Sequence, residues 1–167
     1  MFIRKATKKD LKIITAVEQE CFPAAEAATE EDFRERLERY GDHFWLLFID
    51  NILVSFADGF VTDERDLTDR MYEDVSMHNE NGDWQMIFGV NTLPAYRKQG
   101  LAGTLINRII DESRQNGRKG IVLTCKKELI HYYSYFGFIN EGVTLKSTHG
   151  GVTWYQMRLT FKDINDV

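Results

Sequence analysis

Pro94-Ala95-Tyr96-Arg97-Lys98-Gln99-Gly100-Leu101-Ala102-Gly103 lies between an apolar run and a run of helical periodicity. The run before it, Trp84-Gln85-Met86-Ile87-Phe88-Gly89-Val90, reads as a buried strand. The run after it, Leu101 to Asn116, reads as an amphipathic helix. The turn between them is basic and brings two glycines to the helix start. Unpaired backbone N–H groups at a helix N-terminus, with Arg97 and Lys98 beside them, suit a phosphate or pyrophosphate. The stretch lacks the GxGxxG dinucleotide fingerprint, and no Lys-Ser/Thr pair follows the second glycine as in a Walker A loop. Taken alone, it also reads as a capped strand-helix junction with basic surface residues.

A chain of 167 residues fits one domain with a sizeable core. We place that domain at residues 1–161, with 162–167 as a C-terminal tail. The net charge of -5 argues against a general nucleic-acid binder. No apolar run approaches the ~20 residues of a membrane span, and the N-terminus has no secretory pattern. The two cysteines, Cys21 and Cys125, are far apart and outside any CxxC spacing. They read as reduced thiols of a cytoplasmic protein. No His, Cys and carboxylate spacing suggests a metal site.

Outward from the turn, the pattern is mixed α/β. Phe2 to Ala6 reads as a strand. Thr7-Lys8-Lys9-Asp10 and Thr29-Glu30-Glu31-Asp32 each resemble a capping box, with Asp in place of the usual Glu, and each opens a helix. His43–Ile49 and Ile52–Val61 flank Asp50-Asn51, a two-residue hairpin turn. Asp63 to Asp83 is polar and acidic, with a short helix expected around Leu67 and Met71. Ile121 to Thr124 is a buried strand, Leu129 to Phe136 a short helix, and two final strands meet across His149-Gly150-Gly151. The expected architecture is a central mixed sheet of six to seven strands, antiparallel at both ends, with about four helices.

Arg97-x-x-Gly100-x-Ala102 after an apolar strand resembles the coenzyme-A motif Q/R-x-x-G-x-G/A of the GNAT acetyltransferase superfamily. Tyr133-Ser134-Tyr135-Phe136-Gly137-Phe138 resembles the family's Y-x-x-x-G-F segment. The motifs occur in the family's order, and the resemblance runs from about Phe2 to Phe161. Within the superfamily, Glu20-Cys21-Phe22-Pro23, Asp63-Glu64-Arg65-Asp66-Leu67 and Leu123-Thr124-Cys125 look closest to the arylalkylamine N-acetyltransferases and their bacterial relatives.

The resemblance implies an enzyme that uses acetyl-CoA to acetylate a primary amine by direct attack in a ternary complex. It places the pyrophosphate on the backbone amides of Lys98, Gln99, Gly100, Leu101, Ala102 and Gly103, with Arg97 and Lys98 adding charge. Val90, Asn91 and Thr92 are expected to meet the pantetheine arm through main-chain groups. A backbone N–H between Phe88 and Val90 is expected to stabilise the tetrahedral oxyanion. Tyr133 matches the family tyrosine that protonates the departing thiolate. Met86 and Phe88 stand where arylalkylamine acetyltransferases carry two histidines. The replacement base is then Asp83, Glu26 or His78, or a chain of waters.

By the same resemblance, the acceptor pocket lies between Phe22–Ala28 and Lys146–Val152. Phe22, Pro23 and Phe88 supply apolar wall, and His149 sits in a turn that faces it. The acidic residues from Asp63 to Asp83, with Glu26 and Glu30, favour a cationic acceptor of arylalkylamine or polyamine type. Two alternatives stay open: a protein lysine or N-terminal acetyltransferase, and a non-catalytic acyl-CoA-binding sensor. The expected assembly is a monomer or homodimer.

Overall fold

The computed structural model describes residues 1–162, so residues 163–167 of the expected tail lie outside the described residues. Strand β1 (Phe2–Lys5) precedes helices α1 (Leu11–Cys21) and α2 (Glu30–Tyr40). Strands β2 (Phe44–Ile49), β3 (Ile52–Asp58) and β4 (Val61–Thr62) follow, then α3 (Asp69–Glu73). Next come β5 (Trp84–Ile87), β6 (Gly89–Thr92), α4 (Leu101–Gln115) and β7 (Gly120–Cys125). Helix α5 (Ile130–Tyr135) and strands β8 (Ile139–Val143) and β9 (Tyr155–Thr160) complete the described chain.

The local signals work as expected. Thr29 Oγ1 accepts from Asp32 N–H at 3.1 Å, and Asp32 Oδ2 accepts from Thr29 N–H at 2.9 Å, so α2 opens on a reciprocal cap. Asp50 and Asn51 take φ of 50° and 65°, the left-handed pair that matches a hairpin's twist.

Two apolar runs that read as single strands are each broken. Ile52–Val61 breaks at Gly59, because a Cβ there would fall 1.8 Å from Met86 O. Trp84–Val90 breaks at Phe88, whose N–H donates to Asp58 O at 2.7 Å, and its second part runs on to Thr92. The nine strands therefore form two sheets, β1-β2-β3-β6 and β4-β5-β7-β9-β8. Counted as unbroken runs they number seven, within the six to seven expected from the sequence. Pairing is antiparallel except for β5 with β7.

Helices α1 and α2 bury Ile14, Val17, Phe33 and Leu37 against Phe44, Phe56 and Met86 on one face. Helix α4 buries Leu105, Ile106 and Ile109 with Trp45, Ala57 and Ile87 on the other. The result is three layers around a sheet that parts at Phe88. Beyond that point β6 pairs only with β3, and β7 continues past Leu123, its last residue paired with β5. The wedge between β6 and the end of β7 is the opening that places the site.

Candidate active site

The basic turn forms one end of a continuous cleft. Lys98 and Gly100 both have positive φ, 63° and 79°. No atom lies within 4 Å of a Cβ built on Gly100, so glycine serves the backbone conformation there. Thr104 N–H bonds back to Gly100 O at 3.0 Å, leaving the amides of Leu101, Ala102 and Gly103 directed out of the helix end. A cavity of about 530 Å³ at this end is lined by Arg97, Lys98, Gly100, Leu101 and Ala102. Gln99 and Gly103 are outside that lining.

The register of β6 decides which backbone groups face the wedge. Leu93 N–H donates to Val54 O, and the register pairs Val90 with Ala57 and Thr92 with Ser55. Antiparallel pairing alternates, so Val90 and Thr92 turn their N–H and C=O groups away from β3. Thr92 O confirms this: it accepts from Arg97 Nε at 2.9 Å and from Cys21 Sγ at 3.3 Å. The outward amides of Val90 and Thr92 have no partner from a loop or side chain among the described residues, and Val90 is the one nearer the parting of the strands. Asn91 is used differently from the expectation. Its backbone faces β3, where its carbonyl accepts from Ser55 Oγ at 2.7 Å, and its side chain donates to Glu18 Oε1 at 2.6 Å.

Tyr133 stands between the turn and the wedge. It lines both cavities there and is 8% exposed, and its hydroxyl has no hydrogen bond to any described residue. Burial pushes its pKa well above the ordinary phenol value. Cys125 lines the same wedge, and burial pushes its thiol up to about 11, so it remains uncharged. Tyr132, beside Tyr133 in sequence, lines only the turn end.

Past the wedge the cleft opens into a third cavity of about 340 Å³. Phe22, Glu26, Phe88, Gly89, Thr124 and Trp154 line both the wedge and this cavity. Pro23 lines the wedge only. The third cavity is acidic: Glu18, Glu26, Asp32, Asp58, Asp69 and Glu73 line it, with Arg36 the one lysine or arginine among its lining residues. Arg36 Nη1 is 3.0 Å from Asp58 Oδ2, and its Nη2 donates to Tyr72 O at 3.0 Å. Burial raises the Glu18 carboxyl, although Ala28 N–H and Asn91 Nδ2 both donate to it.

A strap closes this cavity. His149 Nε2 donates to Glu26 O at 2.5 Å, and its ring stacks on Tyr72 with centroids 5.0 Å apart. Trp154 Nε1 donates to His149 O at 2.7 Å. Glu26 is 7% exposed and lies 2.7 Å from Lys126 Nζ, so a loop from each side of the cleft meets over it.

Two of the candidate bases lie elsewhere. Asp83 precedes β5, at the end remote from Phe88, where it pairs with Lys119 at 3.1 Å and lines none of the three cavities. The chain reaches the cleft only after β5 has crossed the sheet. His78 lies in a separate cluster with His43 and Glu80. Its Nδ1 accepts from Val61 N–H at 3.1 Å, so Nε2 carries the proton and donates to Glu80 Oε2 at 3.0 Å. An Nδ1 already held by an amide donor suits this proton arrangement and opposes metal ligation through Nε2.

Sequence reading missed Glu18, Arg36 and Asp58. The signal was present: each is a charged residue within a buried pattern. Glu18 follows Ile14 by four residues, Arg36 follows Phe33 by three, and Asp58 is the one charge in Ile52–Val61.

The Acetyltransferase (GNAT) family model matches residues 11–138, and the chain belongs to that family. Solved structures share its fold. The loading GNATL domain of CurA from Lyngbya majuscula is 18% identical, with a TM-score of 0.82, covering 95% of this chain and 96% of that one. The GphF GNAT-like decarboxylase in complex with isobutyryl-CoA is 16% identical, with a TM-score of 0.82, covering 97% and 100%. The ribosomal-protein-S18-alanine N-acetyltransferase from Escherichia coli is 19% identical, with a TM-score of 0.71, covering 99% and 98%. A comparison with curated proteins finds no match. Among the described residues, no helix is long and apolar enough to cross a membrane.

Proposed function

We propose that this protein is an acetyl-CoA-dependent N-acetyltransferase that acetylates the primary amine of a small molecule within a ternary complex. One observation carries the reading. A continuous cleft joins the open end of α4 to an acidic cavity, with the Tyr133 hydroxyl and the Val90 amide between them.

Acetyl-CoA supplies an activated acetyl thioester. The amides of Leu101, Ala102 and Gly103 hold its pyrophosphate, with charge from Arg97 and Lys98. The outward edge of β6 receives the pantetheine arm as an added strand would be received. The Val90 amide donates to the oxyanion as the tetrahedral centre forms. Tyr133, kept protonated by burial, donates to the departing sulfur. The acidic cavity attracts and desolvates a cationic amine beside Phe88 and Tyr72. Of the two carboxylates named as bases with Tyr133, Glu26 is the one at the junction of wedge and cavity.

The strap over the acceptor cavity favours a small molecule over a protein lysine or N-terminus. The unpartnered Tyr133 hydroxyl favours a catalyst over a sensor. One similar structure is described as a decarboxylase. Here, six cavity carboxylates oppose a donor whose acyl group carries its own carboxylate. Thiol release from acetyl-CoA across a panel of amines, amino acids and peptides tests the reading. Turnover with small amines is expected. Turnover with peptides alone, or CoA binding without turnover, contradicts it.

A further inference from the structure

Asp58 is a carboxylate to which the roles above assign no chemistry. It ends β3 opposite Gly89, is 2% exposed and lines the acceptor cavity. Arg36 occupies Oδ2 at 3.0 Å. Oδ1 accepts no hydrogen bond from any described residue. A Cβ built on Gly89 would lie 3.8 Å from Oδ1, which puts this oxygen one residue before the outward Val90 amide. A carboxylate oxygen without a donor, facing the acceptor cavity, is matched by an N–H of the acceptor.

We propose that Asp58 is the general base that takes the proton from the acceptor ammonium, an assignment that rests on the amine acetyltransferase reading. An N–H bond of the ammonium breaks and its proton passes to Asp58 Oδ1, leaving the electron pair on nitrogen. The nitrogen attacks the thioester carbonyl and the C–N bond forms. On collapse the C–S bond breaks and the sulfur takes the Tyr133 proton. The nitrogen's second proton restores Tyr133 through solvent, and Asp58 returns its proton to water as product leaves.

The surroundings suit this task. Burial raises the Asp58 carboxyl to about 7, with Arg36 from α2 opposing the rise and Glu18 from α1 adding to it. Asp69 and Glu73 from α3 and the strap residue His149 line the same cavity. A base near the working pH combines a useful ionised fraction with real affinity for the proton. Glu26, by contrast, already has Lys126 at 2.7 Å to match its charge.

The test uses two nucleophiles of equal chain length: an alkylamine, protonated at pH 7, and an alkoxyamine, already neutral there. Asp58→Asn is expected to lower kcat/KM about 100-fold for the alkylamine and less than about tenfold for the alkoxyamine, while Glu26→Gln affects both alike. Equal losses for both nucleophiles in Asp58→Asn, or no loss, overturn the assignment. If that variant does not fold, the wild-type protein decides. Its kcat is expected to fall on the acid side of neutrality for the alkylamine and not for the alkoxyamine. Matching profiles overturn the assignment. Failure to acetylate either nucleophile removes the acetyltransferase reading and the base assignment together.

Discussion

The ring of Phe136 lies against Gly103: a Cβ at residue 103 would come 3.2 Å from Phe136 Cζ and 3.9 Å from the Tyr132 hydroxyl. This contact locks the first turn of α4 to the end of α5, the helix that carries Tyr133. Gly103 therefore fixes how closely the open end of α4 approaches the helix that carries Tyr133. Gly103→Val is expected to push α5 outward, raising the KM for acetyl-CoA and lowering kcat about tenfold or more. Steady-state kinetics check it. An unchanged kcat would show that α5 is positioned by other contacts.

Gly103 shows how far the sequence carries. Motif spacing placed the turn, Tyr133 and the strand leading to them, because those depend on residues close together in the chain. It put Gly103 among the expected pyrophosphate amides, whereas the ring packed where a Cβ would stand lies thirty-three residues away, at Phe136. The breaks at Gly59 and Phe88 were hidden for the same reason, since both answer to strand partners distant in sequence. Asp58 shows the opposite case. Its lone charge in an apolar strand was legible, but its role depends on Arg36 and Gly89 meeting it across three elements. Asp83 adjoins the central strand in sequence, but it lies at the end of β5 remote from Phe88 and lines none of the three cavities.

His78 makes the protein acid-sensitive in a defined way. Burial, with His43 nearby, lowers its pKa to about 4, against partial opposition from Glu80. An ordinary histidine titrates near ~6.5, so the unfolded chain binds this proton first as pH falls. The stabilising contribution is complete above about pH 6.5 and is lost toward pH 4. Asn at this position keeps an acceptor for Val61 N–H and does not titrate. Denaturation of His78→Asn at pH 7 and pH 5 is expected to show a smaller acid loss than wild type, by about 2 kcal/mol. Asp58 shifts in the opposite sense in both proteins and cancels from the comparison. Equal losses in the two proteins would mean that His78 is already charged when folded.

The acceptor cavity should discriminate by charge. Six carboxylates face one arginine, which Asp58 already pairs. An amino acid should therefore be a poorer acceptor than the amine left by removing its carboxyl group, by at least about tenfold in kcat/KM. Raising the salt concentration should narrow the difference. Competition between the two acceptors checks it, and a preference for the amino acid would mean that Arg36 is free to take a carboxylate.

In the proposed reaction, Tyr133 acts on the departing sulfur in a cleft built by the α4 turn and the parted strands. The most direct measurement is thiol release from acetyl-CoA by Tyr133→Phe with a saturating amine. A fall in kcat of about 100-fold or more is expected, with the KM for acetyl-CoA nearly unchanged. A kcat equal to wild type would contradict it.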